Sequence, residues 1–141
     1  MTVEVRVTED IAACLALRRT VFIEEQGVPE ADELDDLDGQ AVHLLAFVDG
    51  VPMGSARLLR KGDTGKIGRV CVLASARGTG LGVALMGKAL EVLAADPALR
   101  VAKLGAQTHA LGFYARLGFV AEGPEYLDAG IPHRDMVRSL R

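Results

Sequence analysis

The spacing of apolar residues changes several times along the chain, and each change predicts a new element. Valines alternate with polar residues over 3–7, which predicts a strand. Apolar residues then recur at roughly helical spacing over 11–22, following Thr8, a residue type that caps helices. Gly27 and Pro29 are expected to end this helix. The first 30 residues therefore predict a strand followed by a helix.

The middle of the chain predicts three consecutive strands. Residues 43–48 form a nearly continuous apolar run, which is typical of a buried strand. Asp49-Gly50 is a strong signal for a tight turn, so residues 51–60 are expected to return as the partner strand. Lys61 to Gly65 marks a second turn, and residues 66–73 are expected to form the third strand.

In the second half of the chain, the spacing of apolar residues alternates between that of helices and that of strands. Apolar residues at helical spacing predict a helix over 81–95, and a short strand is expected over 101–107. A second helix over 110–116 is closed by Gly118, in the position of a left-handed cap. Residues 119–140 have room for two more strands. The order β-α-β-β-β-α-β-α-β-β predicts an α+β domain with a mixed sheet.

The composition limits the class of protein. A length of 141 residues predicts one domain over residues 1–141. No apolar run approaches the roughly 20 residues that a membrane helix needs, and the N-terminal residues do not resemble a signal peptide. Cys14 and Cys71 lie in apolar contexts, which favours two buried thiols over a disulfide or a metal pair. We therefore expect a cytoplasmic protein that does not bind membranes.

The charges are distributed unevenly. Residues 24–38 hold eight acids and no lysine or arginine, whereas residues 51–88 hold seven bases and a single acid. Two interpretations are open: a solvated acidic loop with scattered surface bases, or one segment that favours a cation and another that favours an anion.

The segment Arg77-Gly78-Thr79-Gly80-Leu81-Gly82 joins the third strand of the meander to the next helix. Backbone N–H groups at such a helix start, the helix dipole and an adjacent arginine together favour an anion. The spacing G-x-G-x-G does not match a dinucleotide fingerprint. A nucleoside-triphosphate loop fails as well, since Ala89 stands where a metal-binding hydroxyl is needed. We interpret the glycines as allowing close approach of the backbone to a phosphate.

Two motifs carry a family resemblance. Arg77, Gly80 and Gly82 match every fixed position of [QR]-x-x-G-x-[GA], and residues 110–119 are similar to A-x-x-F-Y-x-x-x-G-F. With the predicted element order, the chain resembles the GCN5-related N-acetyltransferases (GNAT) over nearly its whole length. The segment 18–26, the acids after it, and Gly130-Ile131-Pro132-His133 resemble the ElaA/YjcF-type branch.

The resemblance implies a fold, a reaction and a cosubstrate. The fold would be the GNAT type: a mixed, mostly antiparallel twisted sheet flanked by helices. The reaction would move an acetyl group from acetyl-CoA to a primary amine by direct attack on the thioester, with no metal. The implied coenzyme-binding residues are the strand positions Val70, Cys71 and Val72 and the turn residues Arg77, Gly78, Thr79, Gly80, Leu81 and Gly82.

The resemblance also suggests catalytic residues. Tyr114 corresponds to the family tyrosine that faces the coenzyme sulfur and can donate a proton to the departing thiolate. No general base is evident from the sequence. His133 is the first candidate, because it follows a rigid Ile-Pro turn in the part of the family fold that borders the acceptor. His43, Glu25, Glu33 and His109 are further candidates.

The acceptor is predicted only by class. The segment after the first helix borders the acceptor pocket in this family, so Glu25, Glu33 and Asp35 are expected to attract a small-molecule or amino-terminal amine, and a cationic acceptor would suit them. A non-catalytic module that binds or senses acyl-CoA on the same fold is the alternative. The acidic net charge disfavours nucleic acid. Both a monomer and a homodimer are compatible with the sequence.

Overall fold

The computed structural model describes residues 1–141 and contains seven strands and four α-helices. The strands are β1 (Val3–Thr8), β2 (Val42–Val48), β3 (Val51–Lys61), β4 (Thr64–Val72), β5 (Val101–Gln107), β6 (Val120–Asp128) and β7 (Ile131–Ser139). The helices are α1 (Ile11–Arg18), α2 (Glu30–Glu33), α3 (Leu81–Ala94) and α4 (Leu111–Ala115). The predicted α+β class and element order are confirmed, and the acidic segment adds the short helix α2. None of the helices has the length and hydrophobicity of a membrane span.

All seven strands form one sheet in the order β1-β2-β3-β4-β5-β7-β6. Only β4 and β5 run parallel, and they pair over just three positions, from Thr64 with Val101 to Lys66 with Lys103. All other neighbours are antiparallel. The sheet is therefore continuous where the first residues of β4 pair with β5, and it is open between these two strands beyond Lys66.

The start and the end of the first helix differ from the prediction. Thr8 ends β1, and the side chain of Asp10 caps α1 by accepting a hydrogen bond from the Ala13 N–H at 3.1 Å. After Arg18 the helix continues as a π-helical segment over Arg19–Glu25. Segments of this type are rare and frequently occur at functional sites.

Alternation along the central strands divides the core between two helices. Leu44 and Ala46 of β2 belong to the larger apolar cluster, which packs on α3, whereas Leu45 belongs to a smaller cluster with α1. Cys14 and Cys71 lie in this smaller cluster as free, buried thiols, as predicted. Helices α1 and α3 therefore cover opposite faces of the central strands.

The acidic segment is held against the α1 face by ion pairs. Arg57 of β3 makes a bidentate pair with Asp35, with both N–O distances at 2.8 Å. Arg18 of α1 contacts both carboxylate oxygens of Asp38 at 2.9 Å, and Arg57 contacts Asp38 at 3.1 Å. We call these four residues the arginine–aspartate cluster. It contradicts the interpretation of the acidic segment as a solvated loop.

His43 completes the cluster as a neutral side chain. Its Nε2 lies 2.9 Å from the carbonyl oxygen of Asp38, which can only accept, so Nε2 carries the hydrogen. Its Nδ1 can then accept from the Arg18 guanidinium at 3.4 Å. Because both ring nitrogens are engaged and the ring is buried, His43 is excluded as the general base that the sequence allowed.

The cluster predicts acid-sensitive stability. Hydrogen bonds from Arg57, opposed by burial, lower the pKa of Asp35 from 3.8 to about 2, which corresponds to about 2 kcal/mol of stability. For a lowered pKa, this contribution is complete above pH 3.8 and is lost as the pH falls to about 2. We expect Asp35→Asn to lower the free energy of unfolding by about 2 kcal/mol at pH 7.

Urea unfolding at pH 7 and at pH 2.5 checks this expectation. The difference between Asp35→Asn and the wild type should shrink at the lower pH, because the Asp35 carboxyl of the unfolded wild-type chain is then protonated and folding must release that proton. Asp36→Asn is the matched control, since Asp36 is exposed and makes no hydrogen bond through its side chain. A pH-independent difference would contradict the ion-pair explanation.

Candidate active site

The candidate site lies where β4 and β5 separate. After Lys66 the two strands no longer pair, so the edge of β4 from Ile67 to Val72 has no strand partner on the β5 side. Arg69 has φ 50°, and the register between β3 and β4 shifts here, which bends the strand. A cavity of about 930 Å³ occupies the gap. The site is therefore produced by an interruption of the sheet.

The cavity brings together most of the predicted site residues. Those that line it are Val70, Cys71, Val72, Arg77, Tyr114, His133, Glu25 and Glu33. Asp35 and the turn residues Gly78, Thr79, Gly80, Leu81 and Gly82 do not line it. Asp35 is held in the arginine–aspartate cluster and also contacts Arg69 at 3.2 Å. Its charge is therefore compensated within the protein.

The glycine turn carries free N–H groups at the start of α3. No backbone N–H from Gly78 to Val83 donates to a backbone acceptor, and no side chain caps the helix. The Thr79 hydroxyl donates to the carbonyl of Ala76 and stabilises the turn. Leu81 is fully buried and belongs to the core, whereas Gly78, Thr79 and Gly80 of the turn are exposed. This geometry suits an anion.

Backbone conformation and packing explain the glycines of this turn without any ligand. Gly78 and Gly80 have φ angles of 77° and 84°, which disfavour residues with a Cβ. A Cβ on Gly82 would lie 3.2 Å from the ring of Phe113, so this glycine allows α3 to pack close to α4. Close approach of a phosphate is therefore not required to explain these glycines.

Arg77 connects the turn to the first helix. Its Nη2 pairs with the carboxylate of Glu25 at 2.7 Å, and its Nε donates to the Val72 carbonyl at 3.1 Å. Glu25 ends the π-helical segment, so this ion pair joins the two walls of the cavity. Both side chains are partly exposed, which makes the pair weak and exchangeable.

Tyr114 lies in α4 between two aromatic rings. Its ring packs edge-on against Phe113 and Phe119, with centroid distances of 5.1 and 6.1 Å. No protein group accepts a hydrogen bond from its hydroxyl. Burial raises the pKa of Tyr114 to about 12, so the phenol keeps its proton at any physiological pH. It is a hydrogen-bond donor oriented by packing.

Two histidines line the same cavity. The Nδ1 of His133 donates to the Ile131 carbonyl at 2.7 Å, which leaves the lone pair of the neutral ring on Nε2. Its ring stacks on Tyr126 at a centroid distance of 5.9 Å. His109 instead contacts Gln107 at 2.7 Å, and Gln107 donates to Gln26 at 3.0 Å. Each neutral ring therefore keeps one free nitrogen lone pair, on Nε2 of His133 and on Nδ1 of His109.

Arg69 is a cavity residue that the sequence pattern did not assign to the acceptor side. Its guanidinium donates to the Glu33 carbonyl at 3.0 Å, and its Nε lies 3.5 Å from the Glu33 carboxylate. A signal was available, because Gly68 lies inside the strand predicted over 66–73 and a glycine within a strand indicates a bulge. No group of histidine, cysteine and acidic side chains in the chain has the arrangement of a metal site.

Comparison with known proteins identifies the family. The family model for the acetyltransferase (GNAT) domain matches residues 13–140. The chain belongs to the GNAT acetyltransferase family. Among its relatives is YjcF of Bacillus subtilis strain 168, an uncharacterized N-acetyltransferase, which is 40% identical over 131 residues, covering 92% of this chain and 93% of YjcF.

Solved GNAT structures agree with this assignment. An acyl-CoA N-acyltransferase from Pseudomonas aeruginosa is 36% identical, with a TM-score of 0.86 over 97% of this chain and 99% of that one. Escherichia coli ElaA is 30% identical, with a TM-score of 0.81 and the same coverage. These relatives confirm the GNAT fold and the ElaA/YjcF-type branch that the motifs predicted.

The φ angle of Gly80 gives a prediction about the glycine turn. A Cβ at this position would contact nothing within 4 Å, so Gly80→Ala tests backbone conformation alone. We expect it to lower the free energy of unfolding by about 1–2 kcal/mol, the cost of a left-handed residue with a Cβ. Gly87→Ala, in the exposed interior of α3, should instead raise it by up to about 1 kcal/mol. Urea unfolding measures both, and equal stability of the two variants would contradict the conformational role.

Proposed function

We propose that this protein transfers the acetyl group of acetyl-CoA to the primary amine of a small-molecule or amino-terminal acceptor. The observation that carries the proposal is the unpaired edge of β4, which leads directly to the free N–H groups of the glycine turn. Together they offer main-chain N–H donors to a ligand with an amide-containing arm and a phosphate group.

Coenzyme A has the chemistry that these donors require. Its pantetheine arm is extended and contains two amides, so it can hydrogen-bond to an open strand edge as a strand does. In the proposed complex the arm lies along Val70, Cys71 and Val72, and the pyrophosphate lies at the turn from Arg77 to Gly82. The Glu25 carboxylate then gives up Arg77 to the phosphate. The similarity to an acyl-CoA N-acyltransferase of Pseudomonas aeruginosa supports this cosubstrate.

The reaction requires three proton movements. An alkylammonium acceptor must lose one proton before it can attack the thioester carbonyl, and its nitrogen loses a second as the amide forms. The departing thiolate takes up one proton, so one proton is released to solvent for each turnover. Main-chain N–H groups at the bend of β4 can stabilise the developing oxyanion.

We assign the proton of the thiolate to Tyr114. A thiol has an ordinary pKa near 8.5, whereas that of Tyr114 is raised to about 12. Complete proton transfer is therefore uphill, and Tyr114 acts first as a hydrogen-bond donor that stabilises the charge on sulfur. The phenol proton moves to sulfur as solvent supplies a proton to the phenol oxygen, so that no free phenolate forms.

We assign the second amine proton to His133. The Nδ1 hydrogen bond to Ile131 orients the ring and leaves the Nε2 lone pair free, which is the arrangement a general base needs. On the opposite wall, Glu25 and Glu33 supply negative charge for an ammonium group, and Asp35 contributes only through its ion pairs with Arg57 and Arg69. The acceptor therefore lies between the α2 side and the β6–β7 side of the cavity.

The proposed reaction predicts a specific defect on removal of one hydroxyl. Wild-type protein with acetyl-CoA and a panel of primary amines should release free thiol, and Tyr114→Phe should lower kcat about 100-fold, the usual contribution of a proton donor. The affinity for coenzyme A should be unchanged. Tyr126→Phe is the matched control, because it removes the other tyrosine hydroxyl of the cavity. Coenzyme binding without thiol release by any amine would favour the non-catalytic module.

Because Arg77 and Glu25 pair with each other, we expect substitutions of the two residues to have opposite effects on the binding of coenzyme A. Arg77→Gln should weaken binding of coenzyme A, since a full charge next to the pyrophosphate is lost. Glu25→Gln should strengthen it by up to about fivefold, because a competing exposed pair is worth at most about 1 kcal/mol. Isothermal titration with coenzyme A measures both, with Glu24→Gln as the exposed neighbouring control. Weaker binding of coenzyme A by Glu25→Gln would contradict the proposal that the phosphate replaces the Glu25 carboxylate as the partner of Arg77.

A further inference from the structure

The carboxylate of Glu33 is the least satisfied acidic group of the cavity. Glu33 ends α2 and is only 5% exposed, yet it lines the cavity. Its buried Oε1 has no hydrogen-bond partner, and its nearest cation is the Arg69 Nε at 3.5 Å, which also lacks an acceptor. An enclosed carboxylate without a partner is costly, and a ligand that donates hydrogen bonds removes that cost.

The arginines that face Glu33 donate side-chain hydrogen bonds to other carboxylates. Three arginines face it, Arg18 from α1, Arg57 from β3 and Arg69 from β4, together with the carboxylate of Asp38. Asp35 and Asp38 take the hydrogen bonds of Arg18 and Arg57. On the other side, Arg19 of the π-helical segment is paired with Glu30. The third arginine, Arg69, donates to the main-chain carbonyl of Glu33 and to Asp35, and it lies beside the Glu33 carboxylate without a hydrogen bond to it.

The pKa values of Glu33 and Asp35 are shifted in opposite directions. Burial raises the pKa of Glu33 in spite of Arg18 and Arg69, whereas hydrogen bonds from Arg57 lower the pKa of Asp35 to about 2. Carboxyls whose environments separate their pKa values in this way commonly have separate roles. Asp35 has the structural role, and Glu33 is able to bind and release a proton.

We propose that Glu33 binds the ammonium group of the acceptor and accepts its first proton. The N–H bond of the ammonium breaks, the pair of electrons stays on nitrogen, and the proton moves to the carboxylate, which gives the neutral amine that attacks the thioester. Glu33 returns this proton to solvent after the product leaves. His133 takes the second proton, so the two residues act on different steps. This assignment rests on the proposed function.

A direct binding measurement tests Glu33 without requiring turnover. In the full-length protein with carboxyl-¹³C glutamate, the Glu33 signal, assigned by its loss in Glu33→Gln, should shift on addition of propylammonium. Tetramethylammonium, a cation with no N–H group, should not reproduce the shift. A Glu33 signal that is unaffected by propylammonium, or equally affected by both cations, overturns the proposal.

Kinetics with the best amine of the panel test the proton transfer. Glu33→Gln should lower kcat/KM about 100-fold and reduce the acid limb of the pH profile from two ionisations to one, with unchanged affinity for coenzyme A. Asp36→Asn, at an exposed acid of the same acidic segment that does not line the cavity, should change neither. Wild-type kcat/KM or an unchanged acid limb in Glu33→Gln overturns the proposal. A wild type that releases no thiol overturns the proposed function instead, and the binding measurement still decides about Glu33.

A second variant covers a failure of Glu33→Gln to fold. Glu33→Asp keeps the negative charge among the three arginines but withdraws the carboxylate by one methylene. We expect a folded protein whose kcat falls about 100-fold, since a displacement of about 1 Å can cost that much. A folded Glu33→Asp variant with wild-type kcat overturns the proposal.

Discussion

The early end of pairing between β4 and β5 is the constraint on which the candidate site depends. Three paired positions hold the parallel strands together, and beyond Lys66 the bend at Arg69 separates them. An open strand edge inside a protein must find hydrogen-bond partners, and here it faces a cavity that also contains Tyr114 and His133. In the proposed complex, the same interruption provides the edge that binds the coenzyme and the room for its acyl group.

The arginine–aspartate cluster makes this opening compatible with a stable fold. It fastens the acidic segment to β3 and α1, so that one wall of the cavity is rigid although it contains little regular structure. Each buried arginine is paired by an aspartate, which is the condition under which buried charge is tolerated. The buried carboxylate of Glu33 differs from the aspartates of this cluster, because its Oε1 has no hydrogen-bond partner. Glu33 is therefore available to a ligand, whereas the cluster residues stabilise the fold.

Local sequence signals predicted the strands, α3, the turn after β2 and the family motifs, because each depends on residues close together in the chain. The ion pairs of Asp35 with Arg57 and of Asp38 with Arg18 join residues about 20 positions apart, so no periodicity revealed them. The sequence alone consequently allows either a solvated loop or an amine site for the acidic segment. The π-helical continuation of α1 depends on tertiary packing and has no local signal, whereas the bend at Arg69 has one in the neighbouring Gly68.

The central claim is that a coenzyme lies along the open edge of β4 with its phosphates at the glycine turn. Titration of ¹⁵N-labelled protein with coenzyme A tests it most directly, since each main-chain N–H reports its own contact. We expect the largest shifts in two groups, Val70–Val72 and Gly78–Val83, while the signals of β1 and of the exposed edge strand β6 hardly move. Saturable binding that leaves the Gly78–Val83 signals unchanged would contradict the claim.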